Sequence, residues 1–250
     1  MIEKIIHYCW FGNQEKDATI INCIDSWKKH LPDYKIIEWN ESNSHFTGVF
    51  SQQALKHKKW AFLSDYVRLK VLYEYGGIYM DTDMLVIKPF DFLLQHKCFL
   101  GYQSNSQING SIIGCVKGNN FIKACFDRYE SMEFDEMRLM SMAIPVIITD
   151  VFEKFPVKHD VEIYPYTYFY PYLFEESLTG KNYLETVKPE TYAIHLWNAS
   201  WFTEKELAGF AFEKQEWLKG IKLFTAYIAK NPKQILHIPA ILIRKIFSRI

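Results

Sequence analysis

Asp81 and Asp83 bracket a single threonine at the end of a short apolar run, Ile78-Tyr79-Met80. Side chains alternate across a β-strand, so a strand here sends both carboxylates out of one face at its exit. Two hard oxygen ligands at one point suit Mn²⁺ or Mg²⁺, which take one or two carboxylates and fill their shell with phosphate oxygens. Eleven aspartates in 250 residues supply roughly 0.5 such triplets by chance, so the flanking sequence has to carry the reading. Phe62, Val67, Leu69, Leu72 and Tyr73 recur at helical spacing and predict an amphipathic helix over 61–75. Gly76 suits a left-handed C-terminal cap, and the glycine pair lets the chain turn straight into the carboxylate-bearing strand. Asp65 and Arg68, three residues apart, share one face of that helix.

The elements that must hold this block alternate between strand-like and helical patterns, which predicts an α/β layered fold. Strands are expected over 4–10, 35–39 and 192–197, and extended chain over 84–87. Two more, over 99–103 and 111–116, are expected around a turn at Asn109-Gly110. Helices are expected over 17–30, 51–59 and 121–129, and within 140–155, where Pro145 lies near the start. The aromatic, proline-punctuated stretch 161–172 reads as a loop-rich edge. With 49% hydrophobic residues, the chain can bury one large core. A formal net charge of zero gives no general affinity for nucleic acid. Five widely spaced cysteines include no CxxC pair, so neither a zinc site nor a disulfide framework is indicated.

Two other segments belong with the carboxylates. Trp10-Phe11-Gly12 follows the first strand, where a parallel sheet opens its binding crevice. A tryptophan there can stack on a nucleobase, and glycine lets the backbone come close. The alternative is a core tryptophan beside a simple turn. His195 follows the strand-like Tyr192-Ala193-Ile194. A neutral imidazole can complete a divalent-metal shell, although a lone histidine at a strand end is more often an ordinary surface or core residue.

Helix, Gly-Gly, aromatic strand and Asp-x-Asp over residues 64–83 together resemble the DXD sugar transferases of glycosyltransferase family 32. That family includes bacterial capsule and lipo-oligosaccharide transferases and fungal mannosyltransferases, and the glucosylating toxins share its core. The resemblance implies a GT-A-type fold, a central mostly parallel sheet flanked by helices, with residues 1–218 as the catalytic domain. It implies a retaining transfer of a hexose from a nucleotide diphosphate sugar, foremost a UDP-sugar, to a glycan or lipid-linked glycan in surface polysaccharide synthesis. Asp81, Asp83 and His195 become the metal residues, with Asp81, Asp83 and Arg68 serving catalysis. Trp10, Phe11, Gly12, Asp65, Arg68, Gly77 and Asn109 become donor-binding positions. The segment from His195 to Trp201 is similar to the family's closing H-x-W-x-x-S-W stretch. It makes Ser200 a donor-side group and Trp201 a lid residue near the leaving phosphate.

Two other classes compete with this reading. A phosphatase or phosphomutase also carries D-x-D after a hydrophobic strand, but such motifs open the chain and place Thr or Val where Leu85 stands. A lectin-like binding protein would not release nucleotide from a sugar nucleotide. The last segment, 219–250, holds seven Lys or Arg and no acid, whereas 22 basic and 29 acidic side chains precede it. It reads as a basic, amphipathic helical extension, interrupted by Pro232 and Pro239, that either meets anionic lipid or packs on the domain. No secretory leader and no run of 18 apolar residues are found in the sequence. The expectation is a cytoplasmic, bacterial-type enzyme, peripheral on the membrane if the tail meets lipid.

Overall fold

Two parallel strands, β1 (Ile5–Cys9) and β2 (Lys35–Trp39), are joined across helix α1 (Ala18–His30). They open a computed structural model that describes residues 1–135 and 139–198. Asp17 starts α1 by accepting the Ile20 N–H at 2.9 Å, an N-cap worth about 1 kcal/mol. Helices α2 (Val49–Lys56) and α3 (Trp60–Tyr75) lead to β3 (Gly77–Met80). Strand β4 (Met84–Val86) leaves the sheet, and β5 (Cys98–Tyr102) and β6 (Ile108–Cys115) form a hairpin within it. Helices α4 (Asn120–Glu130), α5 (Leu139–Met142) and α6 (Ile144–Lys154) follow. Strand β7 (Glu162–Tyr164), helix α7 (Phe174–Thr179) and strand β8 (Ala193–His195) complete the described chain.

The six-stranded sheet runs β2-β1-β3-β6-β5-β7, and β6 alone opposes the direction of the other five. The carboxyl ends of β1 and β3 therefore open side by side, with Ile6 opposite Ile78 and His7 opposite Tyr79. Strands β4 and β8 pair separately as an antiparallel ribbon that sets Met84 opposite His195. Side-chain alternation divides the core. Tyr79 packs with Phe50, Phe62 and Ile122 on one face, and Ile78 and Met80 pack with Trp27, Phe90 and Phe169 on the other. All five cysteines are buried and unpaired.

Three expectations change. Helix α3 is not a half-exposed amphipathic helix, because nine of its sixteen residues are buried, Asp65 and Arg68 among them. Asn109 and Gly110 do not make a turn but lie inside β6. Asn109 turns its polar group onto its own strand, accepting from the Ser111 N–H at 2.7 Å. A Cβ on Gly110 would stand 2.7 Å from Ile144 Cγ1, so this glycine serves close packing against α6. Gly76 does end α3, donating to the Leu72 carbonyl at 2.9 Å, but at φ 69° and ψ −163° it is not a left-handed helical cap. Gly77 follows at φ 94°, where a Cβ would meet the Ile5 carbonyl oxygen at 2.7 Å. Only glycine passes α3 into β3 this closely.

Candidate active site

Strand β3 ends at Met80, and a turn closed by the Met84 N–H on the Asp81 carbonyl at 3.1 Å follows. The two aspartates therefore converge through a turn, not through strand alternation. Asp81 is held from below. Tyr79 Oη donates to its Oδ1 at 2.9 Å, and Arg68 Nη2 lies 3.3 Å from the same oxygen. No partner for Asp81 Oδ2 is found among the described residues. Arg68 spends its other donors on the fold: Nη2 pairs with Asp65 at 2.9 Å and Nη1 donates to the Gly110 carbonyl at 2.8 Å. Its guanidinium also lies over the Tyr79 ring, 4.5 Å from the centroid.

Asp65 accepts the Ile144 N–H at 3.1 Å, so a carboxylate on α3 caps α6, whose own N-cap residue, Ala143, has no acceptor side chain. Burial pushes the Asp65 pKa up to about 6 against the pull of Arg68. As placed here, Asp65 and Arg68 fix Asp81 and the α6 terminus. The two residues are 5% and 4% exposed, so their ion pair belongs to the core and not to the surface.

Asp83 faces the ribbon. His195 Nε2 lies 3.2 Å from Asp83 Oδ1, and the Asn198 N–H donates to Oδ2 at 2.9 Å. Burial pushes the Asp83 pKa up, but the imidazole and this N–H together outweigh it and hold the carboxyl below its ordinary range. Ser111 Oγ stands 3.4 Å from His195 Nε2 and donates to Asn109 Oδ1 at 2.8 Å. Asn109 is thereby joined to the histidine through one hydroxyl.

Ligand atoms of Asp81, Asp83 and His195 all lie within 4.8 Å of one another. Hard divalent ions, at about 2.0–2.6 Å from oxygen, set opposite ligands about 4–5 Å apart. The two carboxylates, the unpartnered Asp81 oxygen and the imidazole thus fit Mn²⁺ or Mg²⁺. His195 Nδ1 is buried without a partner, and Nε2 is the ring nitrogen turned toward Asp83.

On the nucleotide side, Phe11 is buried against Phe46. Trp10 is half-buried, donates to the Gln14 carbonyl at 2.8 Å and has Lys16 Nζ 5.1 Å from its ring centroid. Gly12, at φ 90°, donates to Glu41 Oε1 at 2.7 Å, and a Cβ there would meet Trp60 Nε1 at 2.8 Å. Ser200, Trp201, the boundary at 218 and the basic segment 219–250 lie outside the described residues. Tyr79 and Ser111 were missed from sequence, although each stands two residues from a recognised position on its strand, where alternation repeats a face. Asp17 and Asn198 hydrogen-bond each other at 3.0 Å across 181 residues, a pairing that no local sequence pattern signals.

Known proteins resemble this chain in sequence and fold. Residues 17–100 match the glycosyltransferase sugar-binding region containing the DXD motif. Rat lactosylceramide 4-alpha-galactosyltransferase is 30% identical over 153 residues, which cover 54% of this chain and 40% of that protein. Inositol phosphoceramide mannosyltransferase 3 of Schizosaccharomyces pombe is 32% identical over 129 residues, covering 48% and 35%. The aligned segments thus span well under half the length of these relatives. Among solved structures, the PaToxG glycosyltransferase superimposes with a TM-score of 0.53 at 21% identity, over 62% of this chain and 70% of that one. The ligand-free glycosyltransferase domain of the YGT toxin gives 0.51 at 11% identity, over 90% and 94%. These two likenesses support the GT-A fold. No helix among the described residues is long and apolar enough to cross a membrane. Residues 17–100, which enclose Asp81-Thr82-Asp83, therefore carry a glycosyltransferase sugar-binding region with its DXD motif.

Proposed function

We propose that this protein transfers a hexose, with retention, from a UDP-sugar or related nucleotide sugar to a glycan or lipid-linked glycan of a surface polysaccharide. The observation that carries the proposal is the convergence of Asp81, Asp83 and His195 beside the exits of β1 and β3. Asp81, Asp83 and His195 would hold a divalent cation, whose positive charge would stabilise the departing diphosphate. The rest is the work of the chain. Arg68 and Tyr79 hold and aim Asp81, and Ser111 and Asn109 steady His195. Trp10, Phe11 and Gly12 line the nucleotide side, and Asp65, Arg68, Gly77 and Asn109 shape the sugar side. Ser200 and Trp201 close over the donor. The departing phosphate takes the proton of the acceptor hydroxyl, and no side chain is assigned as a covalent nucleophile.

The names of the rat and yeast relatives both contain a ceramide lipid, which supports a lipid-linked acceptor for this chain too. The basic segment 219–250 would then hold the enzyme at an anionic membrane surface. Full-length protein should co-sediment with anionic liposomes in a salt-sensitive way, and a chain ending near Lys230 should not. Equal behaviour of the two would remove the membrane role.

A panel of sugar nucleotides in a thermal-shift assay, with and without Mn²⁺, tests donor and metal together. A donor at 100 times its dissociation constant adds about 2.7 kcal/mol to stability. Shifts that ignore Mn²⁺, or that no sugar nucleotide produces, would contradict the proposal.

A further inference from the structure

Trp197 has a backbone φ of 54°, in the left-handed region that bulky side chains avoid. Such a conformation persists only where surrounding contacts over-determine it, and it clusters at functional sites. The contacts here surround Asp83 and His195. The Trp197 indole donates to the Tyr172 carbonyl at 2.7 Å, and its ring centroid lies 4.0 Å from that of His195. Leu196 N–H donates to the Asp83 carbonyl at 3.0 Å. The left-handed step at Trp197 then brings the Asn198 N–H to Asp83 Oδ2. The Asn198 side chain reaches the other way, its Nδ2 donating to Asp17 Oδ2 at 3.0 Å, while Asp17 Oδ1 caps α1.

We propose that Trp197 and Asn198 are positioning residues, a strained turn that sets Asp83 and His195 against each other and moors both to the start of α1. One oxygen of Asp83 faces the imidazole and the other is tied to the turn, so the carboxylate is oriented before a ligand arrives. A donor set ordered in advance binds more tightly than one that must be ordered on binding. Residues 196–198 belong to no helix or strand, so side-chain contacts set their path, and the bond to Asp17 is the one that ties them to α1. What the positioned groups bind rests on the metal reading above; the positioning itself does not.

Two variants separate this role from general stability. Asp17→Ser keeps an N-cap oxygen for α1 but is too short to reach Asn198, and Asn198→Ala removes the same contact from the other side. In the metal-free protein, amide exchange over 81–86 and 193–198 should quicken about tenfold in each variant, with α1 unchanged. The Mn²⁺ dissociation constant, read from the free-ion electron-spin signal, should rise about tenfold. The double variant should be no worse than the weaker single one, because both changes delete one contact. Unchanged exchange at these two segments in Asn198→Ala would overturn the proposal, as would a loss of protection spread equally over α1. Were the wild type to take up no Mn²⁺, the metal reading would fall. The exchange result would still decide the positioning role, with local quickening in its favour and no change against it.

Discussion

His7 offers a measurement of how firmly the Gly-Gly corner is held. It is fully buried in β1 and tied at both ring nitrogens: Trp39 Nε1 donates to Nδ1 at 3.1 Å, and Nε2 donates to the Gly76 carbonyl at 2.9 Å. That pattern demands the neutral ring with its proton on Nε2. Burial lowers the His7 pKa from 6.5 to about 4, against the favourable contact with Gly76. Between those values the unfolded chain binds the proton and the folded chain does not, so stability is complete above pH 6.5 and falls as pH drops. Linkage puts the loss from this one residue at about 2 kcal/mol by pH 5 and about 3 kcal/mol by pH 4. Urea unfolding of wild type and His7→Gln across pH 4–8 isolates it. The variant should be less stable at pH 8, since it cannot keep both hydrogen bonds, but it should show a shallower pH slope by those amounts. Parallel slopes for the two proteins would refute a neutral, buried His7 and with it the account of how the corner is locked.

Other perturbations reach the site more directly. Gly77→Ala forces a Cβ into left-handed backbone and against the Ile5 carbonyl, and it should lose more than about 1–2 kcal/mol in urea unfolding; a loss under about 0.5 kcal/mol would contradict the close passage. Arg68→Met leaves Asp65 buried without its cation and should destabilise by about 3–5 kcal/mol. Adding Asp65→Asn should recover part of that loss, and no recovery would argue against a coupled buried pair. Tyr79→Phe keeps the ring under Arg68 and removes one hydrogen bond to Asp81. It should unfold within about 1 kcal/mol of wild type while weakening Mn²⁺ binding severalfold, and equal Mn²⁺ titrations would show that Tyr79 does not orient Asp81.

Local chemistry made much of the fold readable. Asp17 as a helix start, Gly76 as a stop and the apolar spacing between them gave α1, α3 and β3 to within a few residues. The failures have physical causes. Asn109-Gly110 has turn composition, yet Asn109 satisfies itself on Ser111 and Gly110 makes room for Ile144, both tertiary facts. The convergence of Asp81 and Asp83 was foreseen but its means was not, because β4 leaves the sheet to pair with a strand over 100 residues away. His195 was legible from its local segment. The groups that steady it were not, since Ser111 and Asn198 reach the site only once β6 and β8 have folded beside β3.

Release of free nucleotide from the best-bound sugar nucleotide, with and without Mn²⁺, in wild type and Asp83→Ala, tests the central claim most directly. The account predicts Mn²⁺-dependent turnover by the wild type and its loss in the variant, with far-ultraviolet circular dichroism of the two proteins alike. Undiminished turnover in Asp83→Ala, or equal wild-type turnover after the metal is stripped by chelation, would contradict a cation held by Asp81, Asp83 and His195 as the centre of this site.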